Sequence, residues 1–260
     1  MTAALVLTCA FVGLLVGSFL NVVIWRVPRG ESVVSPPSHC PVCDRPLRWR
    51  DNIPVLSWLL LRGRCRDCGT AISRRYPLVE LATALVFGAM AAAIGADPAL
   101  PAFLYLAAIG VALWMIDIDV RRLPDPIVLP SYVVGVVLLG VAAAVSTEWG
   151  DLVRALIGMA ALYAFYFLLA FIYPAGMGFG DVKLAGVLGL YLAWLGWAEL
   201  VVGAFLGFLL GGVVGILLML TRRAGRKSQL PFGPYMLAGA FLAILWGGAL
   251  ADLYLDTAVG

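Results

Sequence analysis

Apolar residues in this chain do not alternate with polar ones at the spacing of a half-buried helix or strand. They run in unbroken blocks. Met1 to Trp25 carries no charge, and a helix of that length crosses ~30 Å of hydrocarbon. Further uncharged or nearly uncharged blocks fall at 77–96, 98–116, 126–147, 155–176, 183–198, 200–220 and 232–251. Together they predict eight membrane-spanning helices, of which 183–198 is the shortest. The first block lacks the basic start of a cleavable signal sequence and is followed by Arg26 and Arg29, so it is expected to be retained as a span.

The distribution of charge tests that count. With eight spans, the loops 26–76, 117–125, 174–183 and 221–231 share one face, and 17 of the 18 Lys and Arg residues lie in them. Only Arg154 is left on the other face. By the positive-inside rule the basic face is cytoplasmic and both termini are outside. A composition that is 63% hydrophobic and 13% charged excludes a soluble globular protein. Basic residues confined to loops between spans offer no surface for nucleic acid, and the expected surroundings are the lipid bilayer.

The predicted architecture is therefore an all-α polytopic membrane protein. It comprises a first transmembrane helix over 1–25, a small cytoplasmic loop domain over 26–76, and a seven-helix membrane domain over 77–260. Small residues recur at four-residue intervals at Gly13 and Gly17, and again at Gly203, Gly207, Gly211 and Gly215. That spacing predicts close helix–helix approach. Cys9, alone in an apolar block, reads as a packing or lipid-facing residue.

The loop 26–76 carries Cys40-Pro41-Val42-Cys43 and Cys65-Arg66-Asp67-Cys68. Two Cys-x-x-Cys knuckles supply four thiolates for a tetrahedral zinc ion; a redox-active dithiol pair is the alternative. A cytoplasmic setting disfavours disulfides, and a loop this short gains much of its folding free energy from metal. His39, the only histidine, is expected to be a neighbour of the site, not a ligand.

Two acidic clusters complete the candidate chemistry. The third block ends in Ile116-Asp117-Ile118-Asp119-Val120-Arg121-Arg122-Leu123-Pro124-Asp125. Asp117 lies deepest, while Asp119 and Asp125 read equally well as helix-end carboxylates, Asp125 capping the next helix. Residues two apart on a helix do not face one another, so a partner for Asp117 must come from elsewhere. The stretch Gly176-Met177-Gly178-Phe179-Gly180-Asp181-Val182-Lys183-Leu184 supplies one. Glycines there disfavour helix, and a broken backbone beside an ionisable residue at membrane depth points to a functional site. A glycine-rich turn with an ordinary N-capping aspartate is the other reading of the same residues. Gly176, Gly178 and Gly180 would let an extended peptide backbone come close to Asp181.

The chain resembles the bacterial type IV prepilin peptidases, polytopic aspartic proteases with a glycine-x-glycine-aspartate element. The resemblance rests on GSFLNVVIWRVP (17–28), CPVC with CRDC, NIPVLSWLLLRGRC (52–65), RYPLVELATAL (75–85), IDIDVRRLPD (116–125), GMGFGDVKL (176–184) and PFGPY (231–235). It implies that Asp117 and Asp181 are the catalytic pair. It also implies removal of the leader peptide from prepilins and pseudopilins at the cytoplasmic face of the inner membrane. Members with the cysteine loop commonly methylate the new N-terminus as well, with S-adenosylmethionine as donor. Two other readings share some of these features: a presenilin-type GxGD intramembrane protease, and a zinc-bearing membrane transporter.

Overall fold

In hydrocarbon a backbone amide has no water to bond, so an apolar block is stable only when its hydrogen bonds close within the segment. The computed structural model describes residues 2–174, 177–221 and 231–258, and a helix stands on every apolar block. These are α1 (Thr2–Arg26), α3 (Arg75–Ile94), α4 (Leu100–Val120), α5 (Asp125–Ser146), α6 (Trp149–Ile172), α7 (Phe179–Leu195), α8 (Trp197–Leu220) and α9 (Gly233–Ala258). A short α2 (Leu56–Leu60) lies in the loop between α1 and α3. Among the described residues there is no strand, only two isolated bridges within the cysteine loop. Gly176 and the basic residues of 222–230 lie outside the described residues.

Seven of these helices are long and apolar enough to cross a membrane. The protein is thus a multi-pass membrane protein. The helix on the sixth expected block, α7, has 17 residues and so spans only about 26 Å. Its shortness has a physical cause, since the glycine-rich stretch delays its start and Gly196 ends it. A short span is tolerable because α7 packs against α5, α6, α8 and α9 and is buried along nearly its whole length.

By contacts the chain forms two units, one of Met1–Ala96 with Leu104–Met115 and one of Asp97–Phe103 with Ile116–Gly260. In the first, α1 lies along α3. A methyl group on Gly17 would sit 2.7 Å from the Glu80 Cα, and one on Gly13 would sit 2.8 Å from the Ala84 Cα. The glycine spacing in α1 is therefore a packing device, as expected. Cys9 is buried in α1. The Asn21 amide donates to the Tyr76 carbonyl at 3.2 Å, tying the end of α1 to the start of α3.

In the second unit, α6 and α7 meet where a methyl on Gly189 would lie 2.5 Å from the Gly158 carbonyl oxygen. Helices α8 and α9 meet at Gly203, Gly207 and Gly239 in the same way. Arg154, the one basic residue off the charged face, has a structural use. Its guanidinium donates to the carbonyls of Ala193 (2.6 Å), Trp194 and Leu195, the orphan acceptors at the C-terminus of α7. Asp151 lies 2.9 Å away and offsets its charge.

Candidate active site and metal centre

Three helix ends of the second unit converge at one side: the C-terminal turn of α4 and the first turns of α7 and α9. Asp117 opens the last turn of α4 and is 4% exposed. Its Oδ2 accepts a hydrogen bond from the Gly233 amide at 3.1 Å. Gly233 opens α9, so this amide is one of the first-turn donors that have no partner within their own helix. A side chain at 233 would clash, because a methyl there would come 2.8 Å from Asp117 Oδ2.

Asp181 is 9% exposed and stands at the third position of α7, whose N-cap is Gly178. It is therefore not an N-capping aspartate. Its Oδ2 reaches back to accept from the Gly178 amide at 3.1 Å, while its own amide donates to the Gly178 carbonyl at 3.0 Å. Each aspartate is thus held by an amide at a helix N-terminus, where backbone dipoles favour negative charge.

Leu123 links the two positions. A methyl on Gly180 would lie 3.1 Å from the Leu123 Cβ, and one on Gly233 would lie 3.3 Å from its Cδ2. The two carboxylates thus stand on adjoining helix ends, Asp117 on α4 and Asp181 on α7, with Leu123 packed between their neighbouring glycines. Tyr166, Phe208 and Phe232, the last of them next to Gly233 in the chain, form an aromatic cluster with ring centroids 5.3 Å apart for Tyr166–Phe208 and for Phe208–Phe232.

The neighbouring acids do other things. Asp125 is the first residue of α5 and makes no cap; its Oδ1 lies 2.7 Å from Lys183 Nζ. Lys183 is the charge partner of Asp125. Gly178 is exposed to an incoming chain, whereas the space beside Gly180 is taken by Leu123.

In the cysteine loop, the Sγ atoms of Cys40, Cys43, Cys65 and Cys68 all lie within 4.8 Å of one another, and no disulfide joins them. Cys40 and Cys68 Sγ are 3.7 Å apart. The edge of a tetrahedron with Zn–S bonds of ~2.3 Å is about 3.8 Å, so the donor set fits a tetrathiolate zinc ion. The two knuckles repeat one backbone pattern. The Cys40 amide donates to the Arg45 carbonyl and the Asp44 amide to Cys40; the Cys65 amide donates to Thr70 and the Gly69 amide to Cys65. The turn residue has φ 55° at Asp44 and 71° at Gly69, a left-handed conformation suited to these two residue types.

Backbone hydrogen bonds from Cys43 and Val42 bring the Cys40 thiol down to about 6. The Thr70 amide favours the Cys68 thiolate too, yet burial and the three neighbouring thiols push it up to about 12. Four crowded thiols cannot all ionise without a cation among them. His39 Nε2 points to Asp44, 3.7 Å away, and is no part of the cluster. Asp51 and Arg66 brace the module through a paired contact at 2.7–3.1 Å. The Arg66 guanidinium holds the Asp51 carboxyl below its ordinary range.

Comparison with known proteins gives these sites a family. The model of the Bacterial Peptidase A24 N-terminal domain matches residues 11–94, and that of the Type IV leader peptidase family matches residues 104–216. The chain is 37% identical to a prepilin leader peptidase/N-methyltransferase of Stutzerimonas stutzeri, over 98% of this chain and 95% of that protein. The protein of the same name from Aeromonas hydrophila is 39% identical over 93% of this chain and 91% of its own length. That of Pseudomonas aeruginosa is 36% identical over 98% and 95%. The chain belongs to the type IV leader peptidase family. No solved structure matches it.

For this leader-peptidase-family chain, sequence reasoning named both buried aspartates and all four cysteines but missed Gly233, Leu123 and Tyr166. Gly233 lies inside PFGPY, a stretch that carried the resemblance without a role. Its signal was a glycine at the start of an apolar block, on the face that also bears the acids.

Proposed function

We propose that this chain removes the leader peptide from prepilins and pseudopilins and methylates the N-terminus it exposes. Asp117 and Asp181 are the catalytic pair of this reading. The observation that carries it is that two buried carboxylates from separate helices each rest on a helix-start amide, and that the adjoining Gly180 and Gly233 share Leu123 as a neighbour. One carboxylate takes a proton from water as the resulting hydroxide attacks the scissile carbonyl. The other carboxyl gives its proton to the amide nitrogen as the C–N bond breaks, so the leader leaves as an acid and the mature chain as an amine. Roles within the pair belong to the coupled unit. No nucleophilic side chain is needed. The exposed Gly178 backbone can lie beside an extended substrate.

The active site faces the cytoplasm of the inner membrane in this reading, because the basic loops share its side. Cys40, Cys43, Cys65 and Cys68 hold a structural zinc ion, which supplies folding free energy to the loop domain over 26–76. With four protein ligands no coordination position is left for chemistry. The membrane domain over 77–260 carries the peptidase.

Methylation needs S-adenosylmethionine, which when bound supplies the methyl group to the amine. A cleft of about 320 Å³ in the first unit, between α1 and residues 33–38, has the size of a small-molecule site. Ser18, Arg26 and Asn52 give it polar walls, and Phe19, Val22 and Pro36 apolar ones. These residues would hold the donor's carboxylate and its adenine.

The test is to incubate the purified protein with a prepilin and methyl-labelled S-adenosylmethionine and to read leader removal and label transfer separately. Leader removal followed by label on the mature chain supports both activities. An unprocessed prepilin with a well-folded enzyme contradicts the peptidase. Binding of the labelled donor alone, by equilibrium dialysis, is expected to weaken in Asn52→Ala if the cleft holds it.

A further inference from the structure

The cysteine loop contains a piece with the chemistry of a membrane segment. Nine residues, Ile53-Pro54-Val55-Leu56-Ser57-Trp58-Leu59-Leu60-Leu61, carry no charge and are bounded by Asp51 and Arg62. Within α2, Leu56, Leu59 and Leu60 recur at the i, i+3, i+4 spacing of one helix face. That face is open: the three residues are 50%, 58% and 74% exposed. The opposite face anchors α2 to the loop. Ser57 is buried and its hydroxyl donates to the Arg50 carbonyl at 2.9 Å, while Trp58 Nε1 donates to the Ile72 carbonyl at 3.1 Å.

One hydrogen bond fixes the depth of this segment. The Val55 amide donates to Glu80 Oε2 at 2.7 Å, and Glu80 is five residues into α3, about 8 Å along a spanning helix from Arg75. Leu78 and Leu81, which flank Glu80, are exposed on α3, a helix long and apolar enough to cross a membrane. Val55 is held at φ 59°, ψ −50°, a conformation that a β-branched residue adopts only when its surroundings impose it.

The backbone amides are also closed off as lipid requires. Ile53 donates to the Ser57 hydroxyl, Leu56 to the Pro54 carbonyl, Ser57 to Ile53 and Leu59 to Val55, and Pro54 has no amide hydrogen to satisfy.

We propose that Ile53–Leu61 is an interfacial segment that inserts the Leu56–Leu59–Leu60 face into the lipid leaflet beside α3. The cysteine loop is then a module seated in the membrane surface, held at a fixed depth by Glu80, and not a free soluble domain. Arg62 and Arg64 at its edge are placed to meet lipid phosphates.

The test places a photo-crosslinking p-benzoylphenylalanine at position 56, 59 or 60 of the full chain, in nanodiscs of a phosphatidylethanolamine–phosphatidylglycerol mixture. Position 44 in the first knuckle, whose Asp44 side chain is fully in water, is the control. Lipid adducts are expected at 56, 59 and 60, at least about fivefold above position 44. Glu80→Ala, which removes the acceptor for Val55, is expected to lower them severalfold, and Glu80→Gln, whose amide oxygen still accepts, to retain them. Adducts that go to prepilin or to a second copy of the chain instead of lipid, or no lipid adduct at any of the three positions, would overturn the proposal. So would equal lipid labelling at positions 44 and 60.

Discussion

The cysteine loop and the aspartate pair solve one electrostatic problem in two ways. Each gathers groups whose ionised forms repel. In the loop, four thiols crowd within 4.8 Å, and a dication can neutralise them permanently. At the helix ends, two buried carboxylates are each held by a helix-start amide, and in the proposed reading a shared proton neutralises them. A metal fixes its ligands and closes the site to chemistry; a proton can be passed to a substrate and recovered. In the proposed reading, the difference between a brace and a reactive centre thus follows from the neutralising species. It also follows from chain distance, since each knuckle is closed by hydrogen bonds five residues apart, whereas Asp117 and its amide donor are separated by 116 positions.

The sharpest way to break this comparison is to remove ionisation from the pair. Asp117→Asn or Asp181→Asn is expected to lower prepilin processing by at least about a thousandfold, as loss of a catalytic acid or base does. Asp119→Asn is expected to retain most activity. Processing in membranes, with abundance checked by immunoblot, measures this. Metal removal comes next. Cys40→Ser with Cys43→Ser should abolish bound zinc, about one ion per chain in the parent, and should reduce processing through a disordered loop. Full metal content in that variant, by elemental analysis, would contradict the four-thiolate site.

A smaller effect should follow from the amide that holds Asp117. Gly233→Ala keeps the amide but crowds Oδ2, and a displaced catalytic group costs on the order of tenfold to a hundredfold in kcat. Steady-state kinetics on a prepilin peptide would show it, with KM little changed. The smallest effect belongs to Asp51 and Arg66. Because Arg66 depresses the Asp51 pKa in the folded loop, this pair stabilises above the unfolded carboxyl value of ~3.9 and is lost as pH falls through the lower folded one. Arg66→Ala should therefore leave thermal stability between pH 5 and 7 lowered by a constant amount, and the difference from the parent should vanish only in strong acid.

Much of the architecture was legible because lipid enforces a simple code. Apolar blocks of spanning length must be helices, and the single misplaced charge, Arg154, turned out to cap α7. The knuckles were legible because their ligands are near in sequence. Asp117 and Asp181 could be named from their clusters, but their surroundings could not. Gly233 contributes a backbone amide, which no side-chain pattern reports. Leu123 acts through shape alone, filling the space left by Gly180. Residues 53–61 read as part of a soluble loop, because nine apolar residues are too few for a span. What shows their depth is a contact with Glu80, 25 positions away.

The account stands on Asp117 and Asp181 acting as one unit. The most direct measurement is prepilin cleavage by Asp117→Asn, Asp181→Asn and the double variant, under single-turnover conditions at equal abundance. Each single change should remove nearly all of the rate, and the double change should remove little more, since members of one catalytic unit are not additive. Losses that multiply in the double variant, or substantial cleavage by well-folded Asp181→Asn, would contradict it.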